Sequence, residues 1–217
     1  MANEFTLSDA GTGALLFDVA QDGVFDETRQ ARLLALADSL AGTPGIDDVV
    51  PGMNNLMVAF DPLTVDADEI GRRLAEGWRR AASAGEPGRS HEIAVVYGGP
   101  DLQDFAAGLG LSVDEVIERH SQALYRVAAI GAMPGFPYLS GLDPKLATPR
   151  RAVPRQGVPK GAVIVGGGQA GIMPITAPSG WHILGHTDFQ LFDPHRAVPA
   201  TLRPGDSVRF IGKGGER

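Results

Sequence analysis

The sequence predicts two domains, an α+β domain over residues 1–88 followed by a closed or nearly closed β-barrel over residues 89–217. Three observations carry this. In the first part, apolar residues switch between strand and helix spacing. Beyond residue 130, short apolar runs are broken by glycine and proline, with almost no helical periodicity. The charge also changes sign. Residues 1–88 carry 15 acidic and 6 basic side chains, whereas residues 89–217 carry 11 and 13. The change falls at Ala84-Gly85-Glu86-Pro87-Gly88, a linker-like composition.

In the first domain, residues 13–19 form a short strand with Leu15, Phe17 and Val19 on one face. Asp26 caps a helix on which Leu33, Leu34, Ala37 and Leu40 fall at helical spacing, and Gly42-Thr43-Pro44-Gly45 stops it. Strands near residues 46–50 and 56–60 are joined by the hairpin signal Pro51-Gly52-Met53-Asn54-Asn55. Asp66 caps a second helix, with Glu69 three residues on, and Ile70, Leu74 and Trp78 form its apolar stripe. The order β-α-β-β-α, open to closure by a further strand, is the ferredoxin-like pattern of two helices on an antiparallel sheet. Arg72, Arg73, Arg79 and Arg80 lie opposite the stripe, as a solvated face or an anion site. Exposed sheet edges make this domain the expected place of pairing with a second copy of the chain.

The second domain begins with a strand over residues 91–97 that ends at Gly98-Gly99-Pro100, after which Asp101 starts a short helix carrying Phe105 and Leu109. Ser112 and Glu115 make a capping box, with Leu111 and Val116 as its hydrophobic staple, for a helix ending near His120. A strand resumes over residues 124–130, with Tyr125 and Val127 on one side. Short strands are expected near residues 162–165, 172–174, 182–184, 189–192 and 207–211, the pattern of a barrel with Gly/Pro corners.

Composition bounds the function. The net charge of −7 argues against general nucleic-acid binding. No apolar run approaches the roughly 20 residues of a membrane helix, and the acidic start Met1-Ala2-Asn3-Glu4-Phe5 lacks the order of a secretory signal. A cytoplasmic protein is expected. The absence of cysteine excludes disulfides and thiolate chemistry. His91, His120, His182, His186 and His195 show no zinc-site spacing, so no metal centre is expected. His182 and His186 lie four apart on what reads as one strand face.

Chemistry concentrates between Gly131 and Thr187. Residues 140–160 carry Lys145, Arg150, Arg151, Arg155 and Lys160 against Asp143 alone. Prolines between the arginines fix the backbone, and a guanidinium fork pairs bidentately with carboxylate or phosphate. These arginines are either anion ligands or surface partners of the acidic first domain. Phe136, Tyr138 and Trp181, each beside glycine or proline, form either a slot for a planar ligand or plugs for the barrel ends. Gly166-Gly167-Gly168-Gln169 follows a strand but matches no nucleotide fingerprint, which favours a bulge or close strand approach.

One set of ordered motifs covers residues 90–211. It comprises His120-Ser121 with Tyr125, Pro134-Gly135-Phe136-Pro137-Tyr138-Leu139, Gly141-Leu142-Asp143-Pro144, Leu146-Ala147-Thr148-Pro149-Arg150 and Pro154-Arg155. It continues through Val158-Pro159, Gly161, Val163, Gly168-Gln169, Gly171-Ile172, Trp181, Gly185, Thr187, Leu191-Phe192-Asp193 and Leu202-Arg203-Pro204-Gly205-Asp206. This resembles the family of the B subunit of bacterial ATP-dependent 5-oxoprolinase, which includes the sporulation kinase inhibitor KipI and proteins labelled allophanate hydrolase subunit 1. The resemblance implies a cyclophilin-like closed β-barrel as the second domain. It implies a subunit that helps to open 5-oxo-L-proline to L-glutamate at a shared site, with the 5-oxoprolinase C and A subunits as partners. ATP, with Mg implied, would be bound in the complex. A KipI-type inhibitor of a sensor histidine kinase and a component of an allophanate- or urea-metabolising amidohydrolase are the alternatives.

Under this resemblance, Arg150 and Arg155 are the expected anion ligands, Phe136, Tyr138 and Trp181 line the slot, and Thr187 belongs to the same site. Gln169 is the polar orienter and His120 the acid–base candidate. Three positions depart from the family pattern: Met173 for tyrosine, Ser179 for glycine and His186 for arginine.

Overall fold

The computed structural model describes residues 4–20, 23–81 and 88–213, so the expected linker residues 84–87 lie outside it. The chain divides into two units, Met1–Pro87 and Gly88–Arg217.

The first unit contains β1 (Thr6–Asp9), β2 (Ala14–Asp18), α1 (Glu27–Leu40), β3 (Asp48–Pro51), β4 (Asn55–Ala59) and α2 (Ala67–Arg80). The Asp26 carboxylate accepts from Arg29 N at 2.8 Å and starts α1, as its position before the apolar run predicts. Leu33, Leu36, Ala37 and Leu40 are buried on α1, so Leu36 takes the core position that spacing alone assigned to Leu34. Ile70, Leu74 and Trp78 form the buried stripe of α2. Glu69 does not reach back to the cap but holds Arg72 at 2.7 Å and Arg73 at 2.8 Å along the exposed helix face.

The sheet order is β1-β2-β4-β3, antiparallel throughout, with β4 between β2 and β3. The fourth strand is β1, whose four residues are all exposed. Thr6-Leu7-Ser8-Asp9 has no buried face to give it period-two hydrophobicity, which is why spacing missed it.

The second unit contains β5 (Ser90–Tyr97), α3 (Leu102–Leu109), α4 (Val113–Gln122), β6 (Tyr125–Ile130) and β7 (Pro137–Ser140). A 3-10 turn (Pro144–Leu146), β8 (Arg155–Val158), β9 (Ala162–Gly166), β10 (Gln169–Ile172), β11 (Ala177–Ser179), β12 (His182–His186) and β13 (Ser207–Gly212) follow. Seven of these strands close a barrel in the order β10-β7-β6-β13-β5-β12-β9, while β8 and β11 pair separately. Its first and last strands, β5 and β13, run parallel side by side. Residues 189–192, expected as a strand, form none; Phe192 makes only an isolated bridge to Ala200. Three strands escaped the sequence reading, β7, β8 and β11, each short and interrupted by proline or glycine.

The capping box forms as read, with Ser112 N donating to Glu115 Oε2 at 2.8 Å and Glu115 N to Ser112 Oγ at 3.2 Å. Along β9, Val163 and Val165 face the barrel core with Ile93, Val95, Leu139 and Phe210. Ala162 and Ile164 face outward, yet every residue of β9 is buried. A second apolar cluster therefore covers the outside of the barrel: Phe136, Val158, Ala162, Ile164, Met173, Trp181 and Ile183.

Candidate functional site

Two glycines make room for that outer cluster. A Cβ on Gly166 would lie 2.7 Å from Trp181 Cγ, and one on Gly171 would lie 2.9 Å from Phe136 Cζ. The Gly-rich run is thus the β9–β10 hairpin, bending at Gly167 (φ +61°) so that Gly166 pairs with Gln169. Gly166 serves close approach of the Trp181 ring and Gly167 the left-handed turn.

Phe136, Tyr138 and Trp181 meet edge to face. Ring centroids are 5.0 Å apart for Phe136–Tyr138, 5.7 Å for Phe136–Trp181 and 6.2 Å for Tyr138–Trp181. These spacings and angles are those that aromatic quadrupoles favour. Phe136 and Trp181 are buried while Tyr138 is half-buried, so the trio shows one rim to solvent. The Arg150 guanidinium lies 5.5 Å from the Trp181 ring, within cation–π range. Arg150 is exposed and makes no ion pair among the described residues. Gln169, half-buried, stands directly across from Gly166 and so shares the outward face that Gly166 turns to Trp181. Of the residues expected in the site, Phe136, Tyr138, Trp181, Arg150 and Gln169 belong to this one outer face.

Three do not join it freely. Arg155 ion-pairs with the Asp101 carboxylate, as does Arg151 at 2.8 Å. The acidic partner therefore comes from the second unit itself and not from the first domain. Asp101 starts α3, as expected, but its side chain makes no cap hydrogen bond. Nothing in its sequence context distinguishes it from an ordinary cap, so this residue was missed. Thr187 is buried, with its N donating to Gly161 O at 2.9 Å and its Oγ1 accepting from Phe189 N at 3.2 Å.

His120 is fully buried at the end of α4, stacked on Phe210 at 4.7 Å and 5.5 Å from Tyr125. Its Nδ1 lies 2.8 Å from Tyr97 Oη, and the Tyr125 hydroxyl donates to its carbonyl at 3.0 Å. These neighbours differ from those of the Trp181 face, so His120 is not brought to the arginine. Burial lowers its pKa from 6.5 to about 3, and it is neutral at physiological pH. An unfolded chain protonates this residue below pH 6.5 while the folded one does not, so its contribution is full above that pH and is lost as pH falls. Between pH 7.5 and pH 5 the loss is about 2 kcal/mol. Urea midpoints at the two pH values are expected to differ less in His120→Gln than in the parent chain; an equal difference would assign the acid sensitivity elsewhere.

The other histidines are not a pair. A register shift between Ile183 and Gly185 places His182 opposite inward-facing Val165 and His186 opposite outward-facing Ala162. His182 packs against Phe105 at 5.5 Å, while His186 is exposed, 3.8 Å from Asp188. Among the described residues no three His, Cys, Asp or Glu side chains cluster as a metal site. None of the described helices is long and apolar enough to cross a membrane. Met173 and Ser179, two of the departures from the family pattern, lie at the outer cluster. Met173 is buried in it, and Ser179 Oγ accepts from Trp181 N at 3.2 Å.

Comparison with known proteins agrees with the ordered motifs. Residues 5–202 match the family described as carboxyltransferase domain, subdomain C and D. An Escherichia coli protein named as the B subunit of 5-oxoprolinase is 46% identical over 188 residues, covering 84% of this chain and 85% of that relative. The solved structure of TTHA0988 superposes with a TM-score of 0.82 at 39% identity; the match covers 93% of this chain but only 40% of that one. The K. lactis urea amidolyase shares the fold, with a TM-score of 0.77 at 17% identity, over 96% of this chain and 15% of its own.

Proposed function

Because the chain belongs to the carboxyltransferase subdomain C and D family, alongside proteins named as 5-oxoprolinase B subunits, we propose that it fills that role in an ATP-dependent 5-oxoprolinase. The observation that carries this is a likeness running along most of both chains, at an identity well above that of a shared fold alone. The partners in this reading are the C and A subunits, and the assembly works in the cytoplasm. Self-association, where it occurs, uses the sheet edges of the first unit.

The chemistry of the Trp181 face suits the role. Arg150 offers a guanidinium with no ion-pair partner among the described residues, beside apolar rings, where an anion is bound in lower dielectric than bulk water. The carboxylate of 5-oxo-L-proline is such an anion, and its ring fits against the Tyr138–Trp181 rim. Gln169 supplies an amide on the same face to orient the lactam.

The glycine run is a hairpin turn and carries no nucleotide fingerprint. In this reading ATP, with Mg2+, is bound in the complex, and this chain is given no step in its chemistry.

Co-expression with the A and C subunits tests the reading. ATP hydrolysis that depends on 5-oxoproline is expected to require this chain. Equal activity without it, or dependence on allophanate or urea in place of 5-oxoproline, would overturn the proposal. Inhibition of a sensor histidine kinase by the chain alone would point instead to the regulatory alternative.

A further inference from the structure

We infer that Asp101 is the positioning residue of the Trp181 face, acting through Arg151 and Arg155 to hold Arg150 over the indole. The function of that face rests on the reading above; the clamp itself rests on geometry.

The clamp begins at the Gly98-Gly99-Pro100 turn. A Cβ on Gly99 would lie 2.4 Å from Ile183 O and 2.7 Å from Leu184 C, so only glycine lets this turn press on β12. Gly99 N donates to Leu184 O at 3.0 Å and Asp101 N to Ile183 O at 3.3 Å. Asp101 Oδ2 accepts from Ile183 N at 2.8 Å, which ties its side chain to the same strand. Its other oxygen, Oδ1, receives Arg151 and Arg155 together. The Asp101 side chain is 4% exposed, so both guanidiniums are drawn onto a fixed, desolvated anion.

These two arginines follow Arg150 in the chain, one and five residues on. The backbone on either side of Arg150 is tied to the residues on either side of Trp181, to the Gly180 carbonyl and to the His182 imidazole. Arg151 N donates to Gly180 O at 2.7 Å, and His182 Nε2 donates to Pro149 O at 3.0 Å. Arg150 is thus bracketed opposite Trp181 at three points: Pro149, Arg151 and, through Asp101, Arg155. In a segment of prolines and arginines without regular structure, these ties together keep the guanidinium at a set place. An anion site needs that, because its donors must be placed before the ligand arrives.

The test uses the full chain grown with 5-fluorotryptophan, whose two resonances, Trp78 and Trp181, are assigned with Trp181→Phe. Arg150→Ala is expected to shift the Trp181 line and leave the Trp78 line in place. Asp101→Asn is expected to shift the Trp181 line as Arg150→Ala does, with no further change in the double variant. A folded Asp101→Asn protein with an unmoved Trp181 line would overturn the inference. If Asp101→Asn does not fold, Arg151→Met, which leaves Arg155 on the carboxylate, carries the same test with a smaller expected shift.

In the reconstituted complex, Asp101→Asn is expected to raise KM for 5-oxoproline about tenfold with kcat within about a factor of two, and to add nothing to Arg150→Ala. Additive losses would show that Asp101 acts other than through Arg150. An Arg150→Ala complex with unchanged kinetics would sink the proposed site while leaving the fluorine result to decide the clamp.

Discussion

Replacing Arg150 with alanine is expected to lower kcat/KM for 5-oxoproline-dependent ATP hydrolysis by roughly 100-fold in the assembled complex, the scale of one lost charge-assisted donor at a preorganised anion site. The side chain is exposed and pairs with no carboxylate among the described residues, so its removal leaves no buried charge and unfolding is expected to be unaffected. Arg150→Lys separates charge from shape. Lysine keeps the positive charge but loses the planar fork and its stacking on Trp181, so partial rescue is expected. Steady-state kinetics of the complex, with thermal melts of the free chain, check both. Unchanged kcat/KM in Arg150→Ala would remove the anion site from this face.

The second large effect is on stability. Trp181→Ala is expected to cost about 3–5 kcal/mol, the range for deleting a buried large aromatic. Trp181 is 5% exposed and lies against Gly166, which carries no side chain that can collapse into the gap. Phe136 and Tyr138 would lose their edge-to-face partner and Arg150 its ring. The melting temperature of the barrel is expected to fall by roughly 10 °C. Trp181→Phe keeps part of the packing and is expected to lie between the parent and the alanine variant. Calorimetry reads this; a shift within about 2 °C for Trp181→Ala would mean the gap collapses and the outer cluster is not a fixed platform.

The two variants separate the roles of one face. Arg150→Ala tests its charge with the platform intact, whereas Trp181→Ala removes the platform. A face that only covered the barrel would respond to the second and not the first.

Where periodicity and caps were strong, local reading succeeded. Asp26 and Asp66 start helices α1 and α2, Ser112 and Glu115 form their box, and Ile70, Leu74 and Trp78 are the buried stripe. These features depend on residues within one helical turn of each other, so sequence holds all the information they need. β1 was invisible for the opposite reason: an edge strand with every residue exposed has no pattern to read. The strands β7, β8 and β11 were hidden because proline and glycine mark turns locally but are tolerated in short strands at bends and edges.

The candidate site divides the same way. That Phe136, Tyr138, Trp181 and Arg150 are candidates was legible from composition, since aromatics and arginines among prolines stand out in an acidic chain. Which arginine is available was not. Arg150, Arg151 and Arg155 share the same local setting, and only a carboxylate some fifty residues earlier, Asp101, separates them. His120 likewise read as an acid–base candidate until its burial among Tyr97, Tyr125 and Phe210 made it a neutral core residue.

By itself, the sequence determined the helices, their caps, the change of character between the two halves and the aromatic–arginine content of the central stretch. All of these are set by neighbours along the chain. The tertiary structure decided that seven strands close a barrel, that a second apolar layer lies on its outside, and that Asp101 takes two of the three arginines. Those outcomes depend on long-range pairing and on charge desolvated by packing, and both arise only when distant segments are brought together.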